Sequence, residues 1–281
     1  MSIGARLLAL FNRAPEAAMQ YLAEKRLVVT STWRDLTAAA HAHSFTVARA
    51  AKLDILADIR DSLLEAQANG VPYSEWARKL RPTLQAKGWW GYRTDPDTGE
   101  METYVEGGRP VELGSMRRLE TIYRTNMQSA FMAGRRRQIE AEAAEAPYVQ
   151  YIAVMDGRTR PSHAALNGRV FRVDDPVWQS CAPPNGYNCR CRMRNLDAAE
   201  VRERGLSVSS SAGYLKRETV PDRTGREVTR TVLRLPGMDR AFSPDIGFDQ
   251  APDVGAERAL QAKLAAADPA VRAAAERDRD D

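Results

Sequence analysis

The chain has 281 residues, 43% of them apolar, which is enough to bury the core of one or two domains. Its 41 basic and 37 acidic residues give a formal net charge of +4, which permits contact with nucleic acid without requiring it. No run of about 18 apolar residues occurs, and charged residues and Pro15 interrupt the N-terminal segment, so we expect neither a membrane span nor a signal peptide. The three cysteines lie within eleven positions, which is a poor framework for secreted disulfides and favours synthesis in the reducing cytoplasm.

The first third of the chain has the pattern of helices. Between residues 31 and 87 apolar side chains recur mostly at intervals of three and four, which is the spacing of an amphipathic helix. Asn69 and Gly70 form a helix stop between two such segments. We therefore predict a helical module over residues 31–91, preceded by an N-terminal arm at residues 1–30. Turn-forming residues dominate residues 92–114, which predicts a hairpin or an extended loop.

The strongest helical pattern follows Ser115, which can cap the helix N-terminus. Small and apolar residues form one stripe along this helix: Leu119, Tyr123, Met127, Ala130 and Gly134. The segment is also basic, because six arginines and one acidic residue lie between positions 117 and 137. Two interpretations of these arginines remain open, a solvated helix face and a surface that contacts DNA phosphates or a portal protein. The residues assigned to that surface are Arg124, Arg135, Arg136 and Arg137.

Residues 156–194 concentrate the unusual side chains of the sequence. Aromatic and β-branched residues just before them predict a buried strand at residues 148–155. The stretch itself holds His163, one tryptophan, a Pro-Pro-Asn-Gly turn and all three cysteines. Asn167 and Gly168 predict a tight turn before the next strand. We expect this stretch to determine the architecture of the C-terminal half.

Three interpretations compete for the cysteines. His163, Cys181, Cys189 and Cys191 offer a Cys₃His ligand set for a structural zinc ion, Zn²⁺. In an extended strand Cys189 and Cys191 point to the same face, where both could reach one ion. Alternatively, Cys181 and Cys189 form a disulfide, or all three cysteines are buried thiols. Three arginines alternate with these residues and form a second candidate surface for DNA or portal protein: Arg190, Arg192 and Arg194.

A catalytic interpretation is the alternative for the same stretch. Cys189 could be a nucleophile with His163 as its base, or Asp156, His163 and Asp174 could form the metal or acid–base cluster of a nuclease or transferase. Either arrangement requires a spatial proximity that spacing along the chain does not provide. We therefore predict that the chain is not an enzyme, and we assign no catalytic residue.

Several motifs together point to one known family. The core signature is DGRTRPSHAALNGRVFRVDDPVW followed by CAPPNGYNCRC, at residues 156–191. Other matching segments are GWWG at 88–91, RRLETIYRTNMQSAFMAGR at 117–135 and SPDIGFDQAP at 243–252. With these motifs, residues 31–252 resemble the phage Mu F-like head morphogenesis family. Many relatives carry a histidine before the Asn-Cys-Arg-Cys element, where this chain has Gly186 and Tyr187.

The resemblance implies a structural role in a phage head. Members are minor head proteins, present in few copies near the portal vertex and the packaged genome, which assist head morphogenesis and the packaging and ejection of DNA. The implied partners are the portal protein, major capsid or scaffold proteins and double-stranded phage DNA, and no membrane. The implied location is the virion, inside the head near the portal, and the host cytoplasm during assembly. Structural roles in turns and hairpins are implied for Asp156, Arg158, Thr159, Arg160, Trp178, Pro184 and Asn188.

The C-terminal third completes a mixed module. Residues 196–206 predict a short helix, and two strand-like segments on either side of PDRTG predict a β-hairpin. We assign residues 115–255 to one core and residues 256–281 to a C-terminal tail. The predicted fold class is α+β, with a helical N-terminal module followed by a mixed module that contains a long helix and short strands and hairpins.

Overall fold

The chain is described over most of its length. The computed structural model describes residues 16–30, 36, 40–41, 44–50, 52–95, 97–102, 110–221, 225 and 227–251. The predicted tail at residues 256–281 and the first half of the predicted arm lie outside these ranges. Among the helices of the described part, none is long and apolar enough to span a bilayer. The chain divides into two compact units, one formed mainly by residues 44–138 and one mainly by residues 139–186 and the chain from residue 191.

The first unit consists mainly of helices. These are α1 (Glu16–Ala23), α2 (Leu53–Asn69), α3 (Tyr73–Ala86) and the first part of α4 (Met116–Ala141). Short strands form two pairs, β1 (Arg26–Leu27) parallel to β2 (Ser44–Phe45), and β3 (Gly91–Tyr92) antiparallel to β4 (Glu112–Gly114). Of the helices predicted between residues 31 and 87, α2 and α3 are confirmed, whereas Ser44 and Phe45 form a strand.

Helix α2 follows the apolar spacing of its sequence. Its buried face includes Ile55, Ile59 and Leu63, which recur every four residues. The helix ends where Gly70 adopts a φ of 64° and donates its N–H to the carbonyl oxygen of Ala66. Glycine takes this left-handed conformation without the steric cost that a Cβ brings, so the predicted helix stop is confirmed.

Helix α4 begins at the predicted cap. The Ser115 Oγ accepts a hydrogen bond from the backbone N–H of Arg118 at 3.2 Å. Further along, Gly134 lies close to α1, since a Cβ at this position would be 2.9 Å from the backbone nitrogen of Ala18. The glycine in the apolar stripe therefore allows the close approach of two helices, which the periodicity alone does not predict.

One arginine of the basic segment, Arg118, is half-buried in the first unit. The Arg118 guanidinium donates hydrogen bonds to three backbone oxygens, those of Ala48, Glu112 and Leu113. It also lies 5.0 Å from the centroid of the Trp89 ring, in the GWWG motif. Burial is the main cause that lowers the pKa of this guanidinium to about 10. Arg118 therefore braces the fold and is not part of a basic surface.

A four-stranded sheet organises the second unit. Its strands lie in the order β7 (Arg192–Leu196), β5 (Tyr148–Ile152), β6 (Val170–Arg172) and β8 (Val208–Ser209). The central β5 is antiparallel to both neighbours, so that Gln150 pairs with Val170 on one side and with Arg194 on the other, whereas β6 and β8 are parallel. One face of the sheet is fully buried over the residues Val149, Tyr151, Phe171 and Met193.

Short helices and a hairpin complete the second unit. The helices are α5 (Pro161–Ala164), α6 (Val177–Ser180) and α7 (Ala198–Glu203), and β9 (Leu215–Pro221) pairs antiparallel with β10 (Glu227–Leu233). The hairpin predicted around PDRTG and the α+β fold class are confirmed. The division between the units falls near residue 139, inside the segment 115–255 that we predict to be one core, and the predicted domain boundaries remain predictions.

Candidate functional site

Two side chains close the turn at the start of the signature. The Asp156 Oδ1 accepts a hydrogen bond from the N–H of Arg158 at 3.1 Å, and the Asp156 backbone oxygen accepts one from the N–H of Thr159 at 3.0 Å. The Thr159 hydroxyl donates to the carbonyl oxygen of Val154, just after β5. Asp and Thr side chains stabilise turns in this way because they supply hydrogen bonds that regular structure does not. Asp156 and Thr159 thus define the path of the chain as it leaves β5.

Arg160 connects this turn to a segment 85 residues further along the chain. An Nη atom of its guanidinium lies 2.9 Å from the Oδ2 of Asp245, and both side chains are more than a third exposed. The backbone N–H of Asp245 donates to the carbonyl oxygen of Asn185 at 3.0 Å. The space beside this pair has no room for a side chain at position 186, because a Cβ on Gly186 would be 2.1 Å from the Asp245 Oδ2. Three distant segments of the sequence therefore meet at this point.

Asn185 is the buried centre of the Pro-Pro-Asn-Gly turn. Its Nδ2 donates to the hydroxyl of Tyr151 and to the carbonyl oxygen of Cys181, both at 3.1 Å. A buried amide is stable only when it is hydrogen-bonded, so this side chain ties the turn to the central strand. Pro184 is buried just before it and follows a cis peptide bond, and Asn188 has a left-handed φ of 58°.

A buried carboxylate organises the segment after β6. The Asp175 Oδ1 accepts from the N–H of Val177 at 2.9 Å, and its Oδ2 accepts from the N–H of Ser211 at 3.0 Å. The Ser211 hydroxyl also donates to this carboxylate. Trp178, one residue after Val177, donates its indole N–H to the carbonyl oxygen of Arg172 at 2.9 Å. Asp175 and Trp178 therefore fix α6 against β6.

The histidine and two of the cysteines lie together. The Nδ1 of His163, in α5, is 3.7 Å from the Sγ of Cys191, just before β7. The candidate ligand atoms of His163, Cys189 and Cys191 all lie within 4.8 Å of one another, and all three side chains are buried. Cys181 is not a member of this group. Burial is the main cause that raises the pKa of its thiol, and nearby carboxylates raise it further. All three cysteines are described and none is in a disulfide, so the structure does not support the disulfide interpretation.

Ion pairs already occupy part of the predicted basic surface on α4. An Arg124 Nη atom lies 2.6 Å from a carboxylate oxygen of Glu120, and an Arg137 Nη atom lies 3.6 Å from one of Glu24. The two other members of the surface are half-buried, Arg135 and Arg136. A phosphate group would therefore compete with acidic side chains for Arg124 and Arg137.

Charged and buried side chains alternate along β7. Arg192 and Arg194 are exposed, Met193 between them is buried, and Arg190 before the strand is half-buried. This is the alternation that the sequence predicts. Arg194 pairs with Glu200, whereas Arg192 forms no ion pair with any residue that the structure describes. Arg192 is therefore the member of this second surface with a side chain available to an external anion.

Sequence reasoning missed the side chains that carry the buried hydrogen bonds. These are Tyr151, Asp175, Asn185 and Ser211. It also missed Asp245, the partly exposed ion-pair partner of Arg160. The Pro-Pro-Asn-Gly turn marked Asn185 as a turn residue, but no local signal indicates that its amide is buried. The partners of Asp175 include Ser211, 36 positions away, and spacing along the chain carries no signal for such a contact. For Asp245 the signal was its place in the SPDIGFDQAP motif.

Comparison with known proteins identifies relatives of the chain. Residues 57–194 match the family model of Phage Mu protein F like protein. The chain is 42% identical over 258 residues to the putative capsid assembly protein F of Escherichia phage Mu. This alignment covers 89% of this chain and 57% of that protein. It is also 42% identical over 211 residues to the Mu-like prophage FluMu F protein of Haemophilus influenzae. That alignment covers 74% of this chain and 49% of that protein.

The relatives are longer than the chain, which spans about half the length of the curated proteins that it matches. No solved structure matches it. The matched region contains the turn at Asp156, the buried Asn185 and the group formed by His163, Cys189 and Cys191. From the family match and the two relatives, the chain belongs to the Phage Mu protein F like family.

Proposed function

We propose that the chain is a minor structural protein of a phage or prophage head, which acts in head morphogenesis near the portal vertex and assists the packaging and ejection of DNA. The observation that carries this proposal is the 42% identity, over 89% of the chain, to a protein named as a putative capsid assembly protein. Because the chain spans only part of that relative, the transfer of its role to this chain is itself part of the proposal. The portal protein, capsid or scaffold proteins and DNA are the proposed partners.

The geometry of the signature supports a structural protein over an enzyme. His163 and Cys189, the pair considered above as base and nucleophile, are 2% and 6% exposed. A nucleophile and its base act on a substrate only where the substrate can reach them. Around this pair, Asp156, Arg160 and Asn185 connect loops to one another and to the sheet. These contacts support a role in holding the fold.

A location experiment tests the structural role. Procapsids and virions of the phage or prophage that encodes the chain are purified by density gradient, and the chain is quantified by mass spectrometry against the major capsid protein. We expect a few copies in each kind of particle, because a protein of the portal vertex is needed in small number. Host cytoplasmic proteins measured in the same fractions are the control for contamination. Absence of the chain from both kinds of particle would contradict the proposal.

A genetic experiment tests the requirement for the chain. An early stop codon in its gene should reduce the yield of infectious particles, and a plasmid copy of the gene should restore it. Electron microscopy of the stop-codon lysate then shows whether heads are missing, malformed or empty of DNA. An unchanged yield of infectious particles would remove the chain from head morphogenesis.

Contact with DNA is the part of the proposal assigned to the two basic surfaces. In the surface on α4 we would replace Arg135, Arg136 and Arg137 by glutamate and measure binding to duplex DNA at several salt concentrations. We expect weaker binding and a salt dependence reduced by about one unit of slope for each DNA phosphate that the variant no longer neutralises. A matched control makes the same charge change elsewhere, at the exposed Lys216, Arg217 and Arg234. Equal binding by the two triple variants would exclude the surface on α4.

Strand β7 and the portal protein provide the second arm of the same test. Arg192→Glu adds a negative charge to the second basic surface without the loss of an ion pair, because Arg192 has none among the described residues. Its binding to DNA and its co-purification with the portal protein are both measured. If only co-purification with the portal protein fails, this surface binds protein, and if only DNA binding fails, it binds DNA. If neither changes, β7 contacts neither partner.

The alternative enzyme, a nuclease or transferase that uses His163 and the cysteines, is tested directly. The purified chain is incubated with single-stranded and double-stranded DNA, with and without a chelator, and cleavage is followed by electrophoresis. We expect no cleavage in either condition. Cleavage that is abolished both by chelator and in the Cys191→Ser variant would replace the structural proposal by a metal-dependent enzyme.

A further inference from the structure

The group formed by His163, Cys189 and Cys191 has the composition of a metal site. Two sulfur atoms and one imidazole nitrogen lie within 4.8 Å of one another, and all three side chains are buried. Thiolate and imidazole ligands select zinc among the common divalent metals, whereas carboxylates and carbonyls select magnesium or calcium. The proximity of three such ligands therefore indicates a soft or borderline metal ion.

The distance between the histidine and one cysteine fits tetrahedral coordination. Bonds of about 2.3 Å from zinc to sulfur and about 2.0–2.1 Å from zinc to nitrogen place the two ligand atoms about 3.6 Å apart in a tetrahedron. The Nδ1 of His163 and the Sγ of Cys191 are 3.7 Å apart. Cys189 precedes Cys191 by two positions, so the chain itself keeps the second sulfur close to the first.

The surroundings of the histidine are those of a stable internal site. The ring of Phe242 packs against the imidazole of His163, with 5.7 Å between the ring centroids. His163 itself is held in the short helix α5, whose position is fixed by the turn at Asp156 and Thr159. An apolar wall and a braced ligand favour metal binding, because they exclude water and reduce the reorganisation that binding requires.

We propose that His163 Nδ1, Cys189 Sγ and Cys191 Sγ bind one Zn²⁺, and that a water molecule or another external ligand fills the fourth tetrahedral position. On binding, both thiols release their protons to solvent, and the imidazole binds in its neutral form. The ion connects α5 to the start of β7, two elements that are otherwise 28 residues apart in the chain. This inference goes beyond the role in head assembly and does not depend on it.

The same geometry without metal would be a hydrogen bond between a thiol and an imidazole, so the experiment must detect the metal itself. The full chain is purified from zinc-supplemented cells, dialysed against metal-free buffer and analysed by elemental mass spectrometry. We expect one Zn²⁺ per chain. After removal of zinc with a chelator, Co²⁺ is added alone, and we expect the visible bands of tetrahedral cobalt together with an ultraviolet charge-transfer band from thiolate ligands.

Matched cysteine variants assign the ligands. Cys191→Ser, Cys189→Ser and His163→Asn should each lose the bound zinc and alter the cobalt spectrum, and zinc should no longer raise their melting temperatures. Cys181→Ser is the control, since Cys181 is also buried but lies outside the group, and it should keep one Zn²⁺. If a ligand variant folds poorly, the metal content and cobalt spectrum of the unmodified chain still decide the question. An unmodified chain that stays metal-free in excess Zn²⁺, or a Cys191→Ser variant that keeps the metal, would overturn the proposal.

Discussion

The two units of the chain are stabilised in different ways. In the first unit, the interior consists mostly of apolar side chains from helices and their connections, such as Leu22, Leu63 and Leu84. In the second unit, the signature is held by buried polar side chains, chiefly Asp175 and Asn185, which bond to the backbone and to other side chains. Apolar packing depends on volume, whereas a buried hydrogen bond depends on the chemical identity of single atoms.

This difference determines what each unit tolerates. An apolar core accepts a change of shape at constant volume for a small cost, usually below about 1.5 kcal/mol. A buried polar network loses more when one acceptor becomes a donor, because the partner left without a bond remains desolvated. The helical unit should therefore be sensitive to lost volume, and the signature should be sensitive even to changes that conserve shape.

The largest effect is expected from lost volume in the first unit. Leu63 is fully buried in α2, so Leu63→Ala should lower the free energy of unfolding by about 2–5 kcal/mol, measured by urea denaturation. Leu63→Met keeps most of the volume and should cost less than about 1.5 kcal/mol. Leu53→Ala, at the exposed start of the same helix, is the matched control and should have little effect. Similar losses for Leu63→Ala and Leu53→Ala would refute the assignment of this core.

A change that conserves shape should be costly in the signature. Asp175→Asn keeps the size of the side chain but places a donor where Val177 or Ser211 donates, and we expect a loss of about 1.5–3 kcal/mol. Asp174→Asn is the control. The carboxylate of Asp174 is exposed, and among the described residues it pairs only with the exposed Arg172. Equal stability of the two variants would show that the buried network contributes little, and the contrast between the units would fail.

One buried lysine, Lys25, is an exception in the mostly apolar interior of the first unit. Burial lowers the pKa of Lys25 from its ordinary value of 10.5 to about 7, and its Nζ lies 4.6 Å from the Tyr21 ring centroid. Between these pH values the unfolded chain binds more protons than the folded chain, so the free energy of unfolding should rise with pH. The expected gain from pH 7 to pH 9 is about 2 kcal/mol.

The Lys25→Met variant isolates this contribution. Methionine keeps the length of the side chain and removes the titrating group, so the difference in unfolding free energy between the variant and the unmodified chain should shrink as the pH rises. Urea denaturation at several pH values measures this difference. The titration of cysteines and tyrosines changes the unfolding free energy of both proteins equally, so it cancels from the difference. A difference that does not change with pH would mean that Lys25 keeps an ordinary pKa in the folded chain.

The sequence was most informative where local spacing determines structure. The helices α2 and α4 were predicted because apolar residues at intervals of three and four describe one helix face. The signals of Gly70 and Ser115 act within a few residues, so they were also found. Ser44 and Phe45 were assigned to a helix in error, since their parallel partner strand lies 18 positions earlier, and local periodicity does not report such pairing.

The site was predicted in its composition but not in its geometry. The spacing of Cys189 and Cys191 indicated that their side chains share a face, and His163 was the histidine in the same stretch. Which cysteines meet the histidine depends on the path of the turns between them, and the structure brings Cys189 and Cys191 to it without Cys181. The contacts of Asp175 and Asn185 span tens of residues, so no local pattern could reveal them.

The smallest effect is expected at the surface of α4. Arg124 and Glu120 form an exposed pair four residues apart, with their charged atoms 2.6 Å from each other. Exposed pairs of this kind contribute about 0.3–0.5 kcal/mol, so Arg124→Ala should barely change the free energy of unfolding, and the change should vanish at high salt. Arg118→Ala is the contrasting variant and should cost several times more, because it removes a half-buried guanidinium that donates to three backbone oxygens. Urea denaturation at low and high salt measures both, and a large loss for Arg124→Ala would mean that the surface of α4 contributes to the fold and is not reserved for a partner.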